Sequence, residues 1–285
     1  MTDTKITPTG PVEEEKLEQA EPLAPPLIYE AVRREGLAEL KRPFQALFFS
    51  GIAAGILISA SVLGEAIFRT YLPEAPWRPL VENLGYSLGF LLVILGRMQL
   101  FTENTITTVM PFIAGPSVKK AAMVARLWSV VLGANVIGAF MAAAMFHTEA
   151  VPSNLSPAIR ALSEHAIGIG AWDSFLRGIP AGLLIATLVW ILAQGRTSEF
   201  LVILAITWLI AAGDFTHIVA GSVEAAYLLI DGAASLPEVL TGFFVPVFLG
   251  NVVGGTAVFT MLAWGQVKEE IATDSAARHR VARAE

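Results

Sequence analysis

Gly96-Arg97-Met98-Gln99-Leu100-Phe101-Thr102-Glu103-Asn104 stands inside an apolar run that extends from Asn83 to Ala114. The run is long enough to cross a bilayer, whose hydrocarbon core takes roughly 20 residues of helix. Glycine, charge and hydrogen-bonding side chains interrupt it, so it reads as two half-helices joined at membrane depth. A second run, from Glu199 to Ile230, is interrupted in the same way at Gly213-Asp214-Phe215-Thr216-His217. Breaks of this kind free backbone N–H and C=O groups, which lipid cannot satisfy, and they survive only inside protein or against a wet cavity. Four further windows, near 44–66, 121–146, 174–195 and 240–264, cross without interruption. The expected fold is therefore an all-α integral membrane protein of six spans, with spans two and five broken.

Composition agrees with this reading. Of 285 residues, 54% are hydrophobic and 15% charged, against about 25% charged in a soluble domain. Residues 1–43 carry 15 of the 44 charged side chains and residues 265–285 another 8. The apolar body thus lies between two aqueous ends. We divide the chain into an acidic tail (1–26), an amphipathic interfacial helix (27–42), a transmembrane channel domain (43–265) and a C-terminal tail (266–285). The absence of cysteine excludes disulfides, thiolate metal sites and cysteine nucleophiles. A net charge of −6 without a basic run argues against nucleic acid as a partner. Lipid is the expected surrounding, and no cofactor, metal or enzymatic activity is expected. The acidic, proline-rich start has no charged n-region followed by an apolar h-region, so no cleavable signal is expected.

Basic residues set the orientation. Arg33, Arg34, Lys41, Arg42, Lys119, Lys120, Arg126, Arg196 and Lys268 fall on one side, whereas Arg69, Arg78, Arg160 and Arg177 fall on the other. The richer side is cytoplasmic by the positive-inside rule, which puts both termini in the cytoplasm of a bacterial inner membrane.

The two halves resemble each other. Ala54-Gly55-Ile56-Leu57 lines up with Ala181-Gly182-Leu183-Leu184, Phe101-Thr102 with Phe215-Thr216, and Asn135-Val136-Ile137-Gly138 with Asn251-Val252-Val253-Gly254. Three spans per repeat make the second repeat inverted relative to the first, and such folds place their pathway at the midplane, where discontinuous helices meet. Half-helix N-termini pointing there favour small anions.

His217 is the histidine placed in a break. Intramembrane ionisable groups are costly and usually face a pathway, and an imidazole with an ordinary pKa near 6.5 can exchange a proton with a weak-acid anion. Asp214 either orients His217 or caps the half-helix that follows. Thr102 and Thr216 offer hydroxyls to the freed backbone or to an ion. Arg97 and Glu103 flank the first break, as a mutual ion pair or as part of a pathway. Tyr86, Phe90 and Ile210 are candidates for an apolar constriction on the cytoplasmic side, and Glu224 for an outer vestibule or a subunit contact.

Leu100-Phe101-Thr102 and Asn104 at the first break, Phe175-Leu176-Arg177-Gly178-Ile179 opening span four, His217 at the second break and Gly250-Asn251-Val252-Val253-Gly254-Gly255 in span six together resemble the formate/nitrite transporter family, over residues 30 to 265. That resemblance implies an aquaporin-like fold, a homopentamer with one pore per protomer, and passage of small monovalent anions or their conjugate acids. It places the pore histidine at His217, its threonine partner at Thr102, and constrictions at Tyr86, Phe90 and Ile210 below and Leu100 and Phe101 above. The family pattern is altered at Gln99, Glu103, Thr216 and Gly182, and no lysine occurs between 121 and 267 to draw anions into a vestibule. Glu103 adds a negative charge, so a pore for a small neutral or cationic solute remains an alternative, as does a non-conducting membrane scaffold. Asn-Pro-Ala is absent, which disfavours a water channel.

Overall fold

The computed structural model describes residues 23–195 and 198–281, with side chains to residue 273. Most of the acidic tail, Arg196 and the C-terminal arginines lie outside the described residues or side chains. The described residues form helices joined by loops, with no strand among them. Five helical stretches are long and apolar enough to cross a membrane: Phe44–Tyr71, Arg78–Leu95, Val118–Phe146, Ala171–Leu192 and Leu236–Thr273. Glu199–Ala212 is apolar but shorter.

Helix α1 (Pro25–Leu40) precedes the first span. It buries Ile28, Tyr29, Val32 and Leu40, while Glu30 and Arg34 stay toward solvent. Arg33 and Arg34 both hold Glu30, at 2.7 Å each, which keeps its carboxyl down at about 2, below the ordinary carboxylate range. The first span is α2 (Phe44–Leu57) followed by α3 (Ser59–Tyr71), and the second is α4 (Arg78–Glu82) followed by α5 (Tyr86–Leu95). After a loop come α6 (Asn104–Thr107) and α7 (Val109–Ile113), then the long α8 (Val118–Phe146). The second half runs through α9 (Ser156–Gly168), α10 (Ala171–Leu192), α11 (Glu199–Ala212) and α12 (Ile218–Asp231). The last span contains α13 (Leu236–Glu238), α14 (Val245–Val252) and α15 (Met261–Val281), separated by π-helical turns at Val239–Phe244 and Val253–Thr260.

Small residues let these helices touch backbone to backbone, the packing expected where lipid supplies no hydrophobic drive. α2 packs on α8 and α10 on α14. At the first contact Gly55 faces the Asn135 carbonyl and Gly138 the Ile52 carbonyl; at the second Gly182 faces the Asn251 carbonyl and Gly254 the Ile179 carbonyl. A methyl group at any of the four would overlap that oxygen. The outer faces are apolar, with Phe49, Leu88, Leu92, Leu201 and Leu262 exposed, as a lipid-facing surface requires.

Candidate pore centre

Both interrupted helices end alike, and the ends show how the sequence stops them. Gly96 N–H donates to Leu92 O and Met98 N–H to Val93 O, while Gly213 N–H donates to Leu209 O and Phe215 N–H to Ile210 O. Between them Arg97 (φ 51°) and Asp214 (φ 53°) are left-handed, the arrangement of a Schellman C-cap, in which glycine is the usual occupant. Non-glycine residues adopt this conformation at a cost of about 1–2 kcal/mol.

An asparagine from another helix ties down the loop after each end. Asn135, fully buried on α8, accepts from Phe101 N–H (2.9 Å) and donates to the carbonyls of Gly51 and Gln99 (2.8 Å each). Asn251, fully buried on α14, accepts from Ile218 N–H (2.9 Å) and donates to the carbonyls of Gly178 and Thr216 (2.9 Å each). Each amide thus satisfies three backbone groups. The second loop is pinned further by Thr216, whose N–H donates to Arg177 O (3.3 Å) and whose hydroxyl donates to Ser174 O (2.7 Å). Both carbonyls belong to the first turns of α10, ahead of Pro180, which lacks an N–H of its own.

These bonds correct one expected correspondence. Phe101 occupies the place of Ile218, not of Phe215, so His217 corresponds to Leu100 and Thr216 to Gln99. Loop register is set by backbone groups reaching for the asparagines, to which the shared Phe-Thr letters are irrelevant.

His217 and Thr102 are brought together. The Thr102 hydroxyl and His217 Nε2 lie 2.8 Å apart, and both side chains are buried. His217 Nδ1 accepts from Ala220 N–H at 3.3 Å, so the imidazole caps α12 itself. With Nδ1 as acceptor, the ring proton sits on Nε2 and is donated to Thr102. Phe90 meets the His217 ring edge to face, with centroids 5.0 Å apart, and Tyr86 lies 5.1 Å behind Phe90. Leu100, Phe101 and Ile210 are fully buried around this centre, and Phe101 packs against Trp128 and Phe248.

A cavity opens on each side. One, of about 750 Å³, lies at the α1 end and is lined by Glu35, Glu39, Arg42, Arg97, Gln99 and Glu103 among others. At its wall Gln99 donates to Glu39 (2.9 Å) and Asn104 donates to Gln99 (3.3 Å) and to Leu100 O (3.0 Å). Burial and the neighbouring Glu39 push the Glu35 carboxyl up. The other cavity, of about 380 Å³, lies at the end bearing Arg69 and Arg78, and Tyr86, Thr216, His217 and Glu224 line it.

Three further expectations change. Tyr86, expected on the same side of the pore centre as α1, instead lines the cavity of Arg69 and Arg78, whereas Gln99 and Glu103 line the opposite one at the α1 end. The reason is that α5 descends from the Arg78 end, so its first residues remain near that end. Asp214 neither orients His217 nor caps α12: its carboxylate is turned to Arg177 and to His165 Nε2 (2.9 Å) by the left-handed turn. Arg97 and Glu103 line one cavity without an ion pair between them. Sequence reading misses Glu65 and Glu82, both buried at the cavity of Arg69 and Arg78; for Glu65, a glutamate inside the otherwise uncharged window 59–68 is the available signal.

Known proteins share this architecture. The sequence profile described as Formate/nitrite transporter matches residues 26–265. The inner membrane protein YfdC of Escherichia coli (strain K12) is 38% identical over 263 residues, covering 90% of this chain and 84% of that protein. The formate channel FocA of Haemophilus influenzae is 30% identical over 243 residues, covering 75% and 84%. Among solved structures, an FNT family ion channel superposes with a TM-score of 0.72 at 17% identity, covering 84% of this chain and 98% of that one. A pentameric formate channel with formate bound gives 0.65 at 20% identity, covering 79% and 97%. Both are likenesses of fold.

Proposed function

Because the chain belongs to the formate/nitrite transporter family, we propose that it is a channel or transporter for small monovalent weak-acid anions or their conjugate acids, formate and nitrite being the model cargoes. The carrying observation is the Thr102–His217 hydrogen bond, buried between a cavity that His217 lines and one that Glu103, the neighbour of Thr102, lines.

The chain crosses an inner membrane six times in this reading, as two inverted three-helix repeats of aquaporin-like form with both termini cytoplasmic. The paired Schellman ends and paired asparagine clamps support the repeats, and the basic residues near α1 support the orientation. Assembly as a homopentamer is supported by the apolar outer faces and by the pentameric likeness, with a pore within each protomer. Residues 1–26 and 266–285 are aqueous tails and 27–42 an interfacial helix.

Within the pore, Leu100, Phe101, Phe90 and Ile210 form apolar walls that reject hydrated ions, while the His217–Thr102 pair offers one polar contact. The imidazole Nε2–H donates to the threonine oxygen, leaving the threonine hydroxyl hydrogen to donate to a passing oxyanion or acid. Proton exchange with cargo at His217 itself requires opening either this bond or the one from Ala220 N–H. Asn104, Asn251, Thr216 and Asp214 shape the pathway from behind.

The test is flux of formate and nitrite into proteoliposomes across a pH series, for the wild type and His217→Ala. The reading expects flux well above protein-free vesicles and its loss in the variant. Silence of the wild type toward both solutes at every pH sinks it and favours a scaffold.

A further inference from the structure

The outer cavity has more acids than its cations can pair. Glu82, 6% exposed, takes both Arg69 (3.5 Å) and Arg78 (3.6 Å), and Asp214 takes Arg177 and His165. Two carboxyls remain. Glu65 on α3 is 7% exposed, and among the described residues it forms no hydrogen bond and no ion pair; neither does Glu224 on α12. The hydroxyl of Tyr86 also makes no hydrogen bond among the described residues. All three groups line the cavity that His217 lines, within electrostatic reach of one another. What remains open of Glu65 is open to that cavity. A carboxyl so placed holds either a proton or a cation, because an isolated charge there goes uncompensated.

We propose that Glu65 and Glu224, with the Tyr86 hydroxyl beside them, form a proton-delivery site that neutralises a weak-acid anion before it passes Phe90. The inference rests on the transport reading above. In the step, an oxygen of the anion takes the proton from a glutamic acid Oε–H: one O–H bond forms on the cargo as one breaks on the side chain, and no electrons change hands. The carboxylate left behind takes up a proton from the outer solution, passed along the cavity water. The neutral acid then enters the apolar walls without carrying charge into them. His217 is the poorer donor, since its Nε2 proton is given to Thr102 and its Nδ1 is occupied by Ala220 N–H. Around the site the charged or titratable neighbours are Arg69, Arg78, Glu82, His165, Asp214 and His217, with Arg177 on Asp214. On the far side Glu103 lines the inner cavity, also without an ion pair among the described residues, where the proton can be returned.

The test uses the full chain in proteoliposomes with an entrapped pH dye and a voltage-sensitive dye, corrected for protein-free vesicles. Wild-type formate entry at neutral outer pH is expected to bring one proton per formate without charging the membrane. The double variant Glu65→Gln/Glu224→Gln is expected to lose at least tenfold in that flux, and to regain it when the outer pH is lowered so that formic acid arrives already neutral. Unchanged flux and proton stoichiometry in the variant overturns the proposal. So does a loss that acid pH fails to rescue, which marks a structural role. Uptake of methylammonium by the wild type that the variant loses overturns it in favour of a cation site. A wild type that carries neither formate nor nitrite refutes the transport reading first and this proposal with it.

Discussion

Replacing Asn251 by alanine removes the partner of three buried backbone groups at once: Ile218 N–H, Gly178 C=O and Thr216 C=O. Each stranded group costs about 1–3 kcal/mol. Taking the low end for all three, because neighbouring losses overlap, gives about 3 kcal/mol. For a domain of this size that corresponds to a fall in melting temperature of about 6–12 °C at roughly 2–4 °C per kcal/mol. Asn251→Asp is expected to be no better, although its volume is nearly the same, since it keeps the acceptor for Ile218 N–H but sets carboxylate oxygens against two carbonyls. Asn135→Ala should match Asn251→Ala, because it too strands three groups, Phe101 N–H, Gly51 C=O and Gln99 C=O. Thr187→Val is the control: that hydroxyl only returns to Leu183 O on its own helix. The assay is thermal unfolding of the detergent-solubilised protein, with flux measured in parallel. If Asn251→Ala melts within about 2 °C of the wild type, less than a single stranded group should cost, and conducts normally, the clamp is not what holds the second break.

Three other outcomes arise from the same contacts. Thr102→Val keeps the shape but strands His217 Nε2–H, so flux should fall at least tenfold and stability by about 1–3 kcal/mol, with Thr102→Ser restoring both; a conducting valine variant removes Thr102 from the pathway. Gly182→Ala should force α10 from α14, because its methyl would meet the Asn251 carbonyl; a loss of about 1–3 kcal/mol by thermal unfolding is expected, and a neutral result refutes the close approach. Glu30 is held near 2 by Arg33, against the opposing effect of burial, and further by Arg34, so its folded value lies below its unfolded one. Its stabilisation of α1 is complete above the ordinary value of 4.5 and fades as pH falls toward 2. Protection of the α1 amides, with the intrinsic pH dependence of exchange divided out, should fall as pH drops through that window in the wild type and stay constant there in Glu30→Gln.

The positions of the breaks are legible in the sequence, since glycine and polar residues inside an apolar run have few readings in a bilayer. The Thr102–His217 pairing is legible only by resemblance: 115 residues separate the two, and no periodicity links them. Three features escape for physical reasons. Asp214 sits three residues from His217, yet the left-handed turn at φ 53° sends its carboxylate outward, and sequence distance carries no sign of that. The recurring letters Phe-Thr mislead the register of the repeat at the second break, because the structural equivalence is between backbone N–H groups, which every residue but proline possesses. Tyr86 belongs to the mouth opposite the expected one, because an apolar position on a helix says which residues face inward but not how deep each one lies. Glu65 is legible as a charge inside a span, but its lack of a partner depends on Glu82 having already taken the two arginines.

The asparagine clamps bear on how such a pore can vary. Each loop is held chiefly through its main chain, by an amide that belongs to a different helix. The Glu103 side chain, unlike those of Thr216 and Asn104, makes no hydrogen bond or ion pair among the described residues, so that position, lining the cavity at the α1 end, is open to change of charge or size while the backbone path stays put. The charge lining that cavity and the course of the backbone are set by different residues of this chain, so the first can change without rebuilding the second.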